Sequence, residues 1–162
     1  MTPSATQSRP AVDKALSLDV QVACEDAGLP SPADFRCWAK AALASARVAG
    51  AVEIVLRIVD EAEGAELNQR YRKKPGPTNV LAFPYAVAAD HDLHGDLVMC
   101  APVVQREARE QGKQAEAHWA HMCVHGILHL RGYDHATQDE ADVMEGLETS
   151  ILVGLGFPRP YE

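Results

Sequence analysis

Residues 115–135 read AEAHWAHMCVHGILHLRGYDH, and the rest of the chain is interpreted around them. They predict one long helix from Ala115 to Leu130. Gly132 ends it, because glycine takes the left-handed turn that stops a helix and reverses the chain at little cost. Five of the seven histidines fall between positions 118 and 135. His125 and His129 are four apart, so they share one helix face with a rise of ~6 Å between them. At that spacing two imidazoles can converge on one metal ion, with each nitrogen at ~2.0–2.1 Å. The reversal at Gly132 then brings His135 back toward the same point as a third ligand.

Outward from this helix, the chain alternates between two periodicities. Thr137 to Leu155 forms a last amphipathic helix with Asp139 and Glu140 in its first turn. On the other side, Pro102 opens a helix to about Gln111, and Gly112 separates it from the long one. Further back, Gly95–Cys100 (GDLVMC) and Asn79–Tyr85 (NVLAFPY) predict strands, with Ala86–Leu93 a loop between them. Pro84 places the Asn79–Tyr85 strand at a sheet edge or a strand end. Lys74-Pro75-Gly76-Pro77 is a rigid turn that follows a short helix over Glu61–Tyr71. The acids at that helix's start and the arginine at its end suit the helix dipole. Val52–Val59 (VEIVLRIV) and Leu16–Cys24 (LSLDVQVAC) alternate apolar with polar residues, the period of half-buried strands. Between them, Ser31-Pro32-Ala33-Asp34 predicts a capping box with proline at the first helical position, opening a helix to about Val48 that Gly50 ends. Four strands interleaved with five helices predict an α/β (α+β) single domain. Its small four-stranded mixed sheet is packed by about five helices, with the zinc site at the end of a long helix. Residues 1–13 read as a flexible tail, and 14–162 as the domain.

The 162 residues are 47% apolar and 23% charged, a globular balance that excludes a disordered chain, a coiled-coil rod or a collagen-like repeat. No run approaches the ~20 apolar residues of a membrane span, and Met1–Pro10 has no apolar core of a signal peptide. The expectation is therefore a cytoplasmic protein. Cys24, Cys37, Cys100 and Cys123 are scattered and form no C-x-x-C pair, so they read as reduced, mostly buried thiols. A formal charge of −8 argues against a protein that coats nucleic acid nonspecifically. The charge is nevertheless uneven: Arg70, Arg72, Lys73 and Lys74 sit together, whereas Asp134–Glu148 holds six carboxylates and no cation.

The string from His125 to His135 has histidines at its positions 1, 5 and 11 and glycine at 8. That is the ligand spacing of the metzincin zinc site, and three protein ligands with one open position is the arrangement of catalytic zinc. Position 2, however, is Gly126, where the metalloproteases carry the glutamate that acts as general base. The cage is kept and the peptidase base is missing. His121 competes for a place in the cage, being four residues before His125. His121, His125 and His129 cannot all bind one ion, since the outer two lie ~12 Å apart along the axis. The turn at Gly132 favours the later pair, leaving His118 and His121 to supporting, RNA-facing or structural roles. Nickel, cobalt and manganese also suit three imidazoles, and zinc is preferred on ligand type and availability.

Residues 118–135 resemble the hallmark motif of the bacterial YbeY family. The resemblance continues through Leu67-Asn68, Tyr71-Arg72 and Pro77–Pro84, through Gly95–Val98, and into Leu155–Phe157 with Pro160-Tyr161. Ala82 stands where the family usually has serine and Arg131 where leucine is common. The resemblance implies a zinc-dependent endoribonuclease that cuts single-stranded RNA. It also implies maturation of the 3′ end of small-subunit ribosomal RNA, a part in ribosome quality control, and the ribosome as partner. It maps the zinc ligands onto His125, His129 and His135, and the family's arginine onto Arg72.

A guanidinium suits that place, because it forks onto a phosphate with two hydrogen bonds and stabilises charge that builds there. Arg70, Lys73 and Lys74 are candidates to line the same groove and bind phosphates electrostatically. Tyr71, Tyr85 and Trp119 are candidates for stacking on bases, although core packing is the commoner use of so few aromatics. Asp96 and Asp134 are candidates to orient a ligating histidine. No membrane and no DNA are expected as partners. Two other function classes compete: a metalloprotease-like hydrolase, against which Gly126 argues, and a non-enzymatic ribosome assembly factor with a structural zinc.

Overall fold

A computed structural model describes residues 16–87 and 91–161; the expected tail over 1–13 lies outside them. Strand β1 (Leu16–Ala23) leads into helix α1 (Pro32–Ser45), β2 (Ala51–Val59) and α2 (Glu61–Arg72). After β3 (Val80–Pro84) and β4 (His91–Cys100) come α3 (Ala101–Glu110), α4 (Ala115–Arg131) and α5 (Gln138–Gly154). The strands form one mixed sheet in the order β1-β2-β4-β3. β1 runs parallel to β2 and β2 parallel to β4, whereas β3 pairs antiparallel with β4, with Ala82 opposite Leu97. Pro84 closes β3 on the sheet edge, where its missing N–H leaves no ladder bond unmade.

Alternation along the strands sorts the two faces. Val52, Ile54, Leu56 and Ile58 of β2, with Leu93, Leu97 and Met99 of β4, point into the main core beneath α1 and α4. Val59, Leu81, Val98 and Cys100 form a smaller cluster on the other face, which Leu67 of α2 covers. Helix α4 is buried nearly all round, from His118 to Leu130, because α1, α3, α5, β3 and β4 all pack against it. The expected capping box is formed: Ser31 Oγ accepts the Asp34 N–H at 3.1 Å and Asp34 accepts the Ser31 N–H at 3.0 Å.

Three expectations shift. β4 begins at His91, four residues before Gly95, so the last three residues of the expected 86–93 loop are strand. Polar His91, Asp92 and His94 hide its period, and Gly95 is a mid-strand glycine. A Cβ there would meet Leu130 Cδ2 at 2.6 Å and the Phe83 carbonyl oxygen at 2.9 Å. α1 ends at Ser45, earlier than Val48, because Arg47 takes the left-handed conformation (φ 59°) and turns Val48 into the core. Of the cysteines, only Cys100 and Cys123 are buried; Cys24 is half-buried and Cys37 exposed, and all four are free thiols. Among the described residues, no helix is long and apolar enough to cross a membrane.

Candidate metal centre and cleft

The site forms where α4 stops. Gly132 takes φ 108°, and the Tyr133 N–H returns to the Leu128 carbonyl at 3.0 Å, so the chain doubles back along the helix end. His135, on the returning loop, has its backbone N–H held by Asp134 Oδ1 at 2.7 Å. Its ring stacks on that of His125, with centroids 5.7 Å apart. The ligating nitrogens of His125, His129 and His135 lie within 4.8 Å of one another, a group that can hold a metal ion. His121 is outside it: its Nε2 faces Tyr161 Oη at 3.2 Å. The later pair, with the third histidine beyond the glycine, is what the fold brings together.

The donor chemistry fits a borderline-soft cation. His125 Nδ1 lies 2.6 Å from Oε2 of Glu148, a fully buried carboxylate that can only accept, so Nδ1 donates, and in a neutral ring that leaves Nε2 bare. That bare nitrogen is 3.1 Å from His129 Nε2, close to the ~3.3 Å between two nitrogens of a tetrahedral zinc site. Burial, with the neighbouring His125 and His135 rings, pushes the His129 imidazole below its ordinary value, which keeps its lone pair available at neutral pH.

Glu148 was hidden within an acidic run. Its sequence signal is placement: Met144, Ile151 and Leu152 stand four before, three after and four after it on the buried face of α5. Burial alone would raise its carboxyl group, but His121, 3.6 Å away, and the hydrogen bonds from His125 and Tyr161 outweigh that and hold it at about 2. Tyr161 donates its hydroxyl proton to Glu148 Oε1. Of the sequence candidates for orienting a ligand, Asp134 holds the backbone N–H of His135, whereas Asp96 is engaged elsewhere and accepts from the Tyr85 hydroxyl at 2.7 Å.

The three histidines open onto a cleft of about 480 Å³, also lined by Arg72, Thr78, Asn79 and Tyr133. Arg72 reaches this cleft as the last residue of α2, just before Lys73 breaks the helix in a left-handed turn (φ 58°). The loop that follows is pinned by buried Asn68, whose Nδ2 donates to the Gly76 carbonyl at 2.8 Å. Arg70, Lys73 and Lys74 are exposed beside Arg72 and outside the cleft lining; Arg70 pairs with Glu66 at 3.3 Å. Trp119 is fully buried, edge-on to Phe35, and so belongs to the core. His118 is buried too, and its Nε2 lies 2.8 Å from Glu107 Oε1, which also accepts from Asn79.

Gly126 sits on the floor of the cleft against the sheet. A Cβ at that position would come within 2.8 Å of Leu97 Cδ2 and 3.2 Å of Val80 Cγ2. A glutamate there would have to displace the Leu97 and Val80 methyl groups, so glycine at the peptidase-base position matches how closely α4 packs on β3 and β4.

Known proteins match the chain over most of its length. The sequence model of the family described as Endoribonuclease YbeY matches residues 25–156. Among curated relatives, endoribonuclease YbeY of Methylococcus capsulatus is 58% identical, over 82% of this chain and 87% of its own length. The protein of the same name from Alkalilimnicola ehrlichii is 55% identical, over 91% of this chain and 92% of its own. That of Nitrosococcus oceani is 52% identical, over 91% and 97%. A solution structure of a Thermotoga maritima protein shares the fold at a TM-score of 0.55 and 23% identity, covering 88% of this chain and 99% of that one. With the family pattern matched over most of the chain and its histidines gathered in one cleft, the chain belongs to the endoribonuclease YbeY family.

Proposed function

We propose that the protein is a zinc-dependent endoribonuclease that cuts single-stranded RNA and matures the 3′ end of small-subunit ribosomal RNA. One observation carries the reading: three imidazoles converge in a cleft that Arg72 also lines and that has glycine, Gly126, at the peptidase-base position. His125, His129 and His135 would hold the ion. When bound, zinc supplies a Lewis acid for a phosphoryl oxygen or a water molecule. The remaining work falls to the chain. Arg72 binds the scissile or an adjacent phosphate through two parallel hydrogen bonds and stabilises charge developing on it. Arg70, Lys73 and Lys74 extend that attraction along the RNA backbone. The RNA class, the ribosome as partner, a share in ribosome quality control and a cytoplasmic location rest on family membership. DNA is not expected as a substrate.

The test uses wild type, His129→Ala and Arg72→Ala, with zinc measured per chain and cleavage followed on a single-stranded RNA ending in the small-subunit 3′ sequence. Wild type should hold about one zinc and cut. Arg72→Ala should keep its zinc and lose roughly 100- to 1,000-fold in rate, the cost of removing a group that stabilises transition-state charge. His129→Ala should lose both. Equal weak cutting by all three would assign the nuclease to a contaminant and leave an assembly factor with a structural zinc.

A further inference from the structure

The last residues of the chain reach the histidine cluster through a short run of hydrogen bonds whose proton directions are fixed. Tyr161 stands beyond α5, on a segment that Lys113 holds by donating from Nζ to the Pro160 carbonyl at 2.7 Å. Its hydroxyl has one proton, and that proton goes to Glu148 Oε1. The Tyr161 oxygen can then only accept from His121 Nε2, 3.2 Å away. The other Glu148 oxygen, Oε2, faces His125 Nδ1 at 2.6 Å and accepts from it. The Glu148 side chain has no exposure at all and His121 is buried, whereas Tyr161 closes the run from the surface, with about half of it exposed.

We infer that Tyr161 and Glu148 are positioning residues for the metal centre: they fix the His125 ring as its Nδ1–H tautomer and aim its bare Nε2 into the cleft. This rests on the reading of His125, His129 and His135 as metal ligands. The C-terminal segment is then part of the site although it is remote from it in sequence. The physical reason is that a neutral imidazole can offer either nitrogen, and the wrong tautomer presents an N–H where a lone pair is needed. A buried carboxylate behind Nδ1 removes the choice, and partners of this kind commonly govern metal affinity. Tyr161 adds a second constraint by occupying Oε1, which leaves Oε2 for His125. In Glu148→Gln the amide can turn either way. Its NH₂ facing Nδ1 would force the proton onto Nε2 and block the ligand position.

The experiment compares wild type, Glu148→Gln, Tyr161→Phe and the double variant, each full-length and each checked for native thermal unfolding without metal. Zinc affinity is measured by competition with a chromophoric chelator, and the His125 tautomer by ¹⁵N NMR of the metal-free protein. Wild type should show Nδ1 protonated and Nε2 bare. Glu148→Gln should weaken zinc binding roughly 10- to 100-fold. Tyr161→Phe, which removes one hydroxyl and keeps the ring, should weaken it on the order of three- to tenfold. The double variant should lose less than the product of the two, because both act through one ring. A wild-type His125 protonated at Nε2, or zinc affinity unchanged in both single variants, would overturn the inference while leaving the metal site in place. Failure of wild type to bind zinc would instead remove the ligand reading on which it stands.

Discussion

Gly126 shows how one missing side chain sets both packing and chemistry. In a helix interior glycine costs ~1 kcal/mol relative to alanine through backbone entropy. Here the cost is offset by the close approach of α4 to Leu97 and Val80, for which a Cβ leaves too little room. Gly126→Ala should therefore be destabilising by about 1 kcal/mol, the strain of overpacking exceeding the gain in helix propensity. Gly126→Glu should lose more than about 3 kcal/mol, since it adds a carboxylate to a position already buried. Urea unfolding of the metal-free proteins reads both numbers. A stable Gly126→Glu variant would mean that the helix can lift off the sheet, and the steric reason for the missing peptidase base would go with it.

At the scale of elements, Asp92 joins three of them. It is the second residue of β4, and its Oδ2 accepts from the backbone N–H groups of Ala49 and Gly50, at 3.1 and 3.3 Å, in the turn between α1 and β2. Its Oδ1 lies 3.5 Å from Arg131 Nη1 at the end of α4. Those two backbone hydrogen bonds, helped by Arg131, hold its carboxyl group below the usual aspartate value. The folded state thus binds this proton less readily than the unfolded chain, whose aspartates titrate near ~3.9. The stability that Asp92 contributes is complete above about pH 5 and fades as the pH falls through ~4 and below. Asp92→Asn should lower stability at neutral pH and flatten its decline between about pH 5 and 3. Chemical unfolding across that range checks this, and parallel curves for the two proteins would contradict it.

For the whole molecule, metal and charge give two further expectations. An ion that binds only the folded state stabilises it by about 2.7 kcal/mol at 100 times its Kd. For a chain of this size that is a rise in Tm of about 5–10 °C. Zinc buffered at that level should produce the rise in wild type and none in His129→Ala, as differential scanning fluorimetry would show. A shift retained in His129→Ala would place the ion elsewhere. The chain carries −8 overall, so RNA must find the exposed cations at the end of α2 against a repulsive background. Replacing Arg70, Lys73 and Lys74 together by alanine should flatten the plot of log affinity for single-stranded RNA against log salt by about 2, or ~0.7 per phosphate contact. An unchanged slope would show that the RNA takes another path to the cleft.

Much of this was legible in the sequence because it depends on local rules. Periodicity located four strands and five helices, a capping box fixed the start of α1, and Gly132 marked the reversal that gathers His125, His129 and His135. Such features are set by residues within a turn or two of one another. The start of β4 was not legible, since His91, Asp92 and His94 are polar and their strand conformation comes from pairing with β2. Nor was Glu148, one carboxylate among six, which becomes distinct only when α5 packs against α4 and withdraws it from water. Tyr161 joins the site from the far end of the chain for the same reason. The sequence by itself determined the spacing of the three histidines and the elements that carry them. Tertiary structure decided which buried groups stand behind those histidines, because burial and long-range hydrogen bonding are properties of packed surfaces rather than of spacing along the chain.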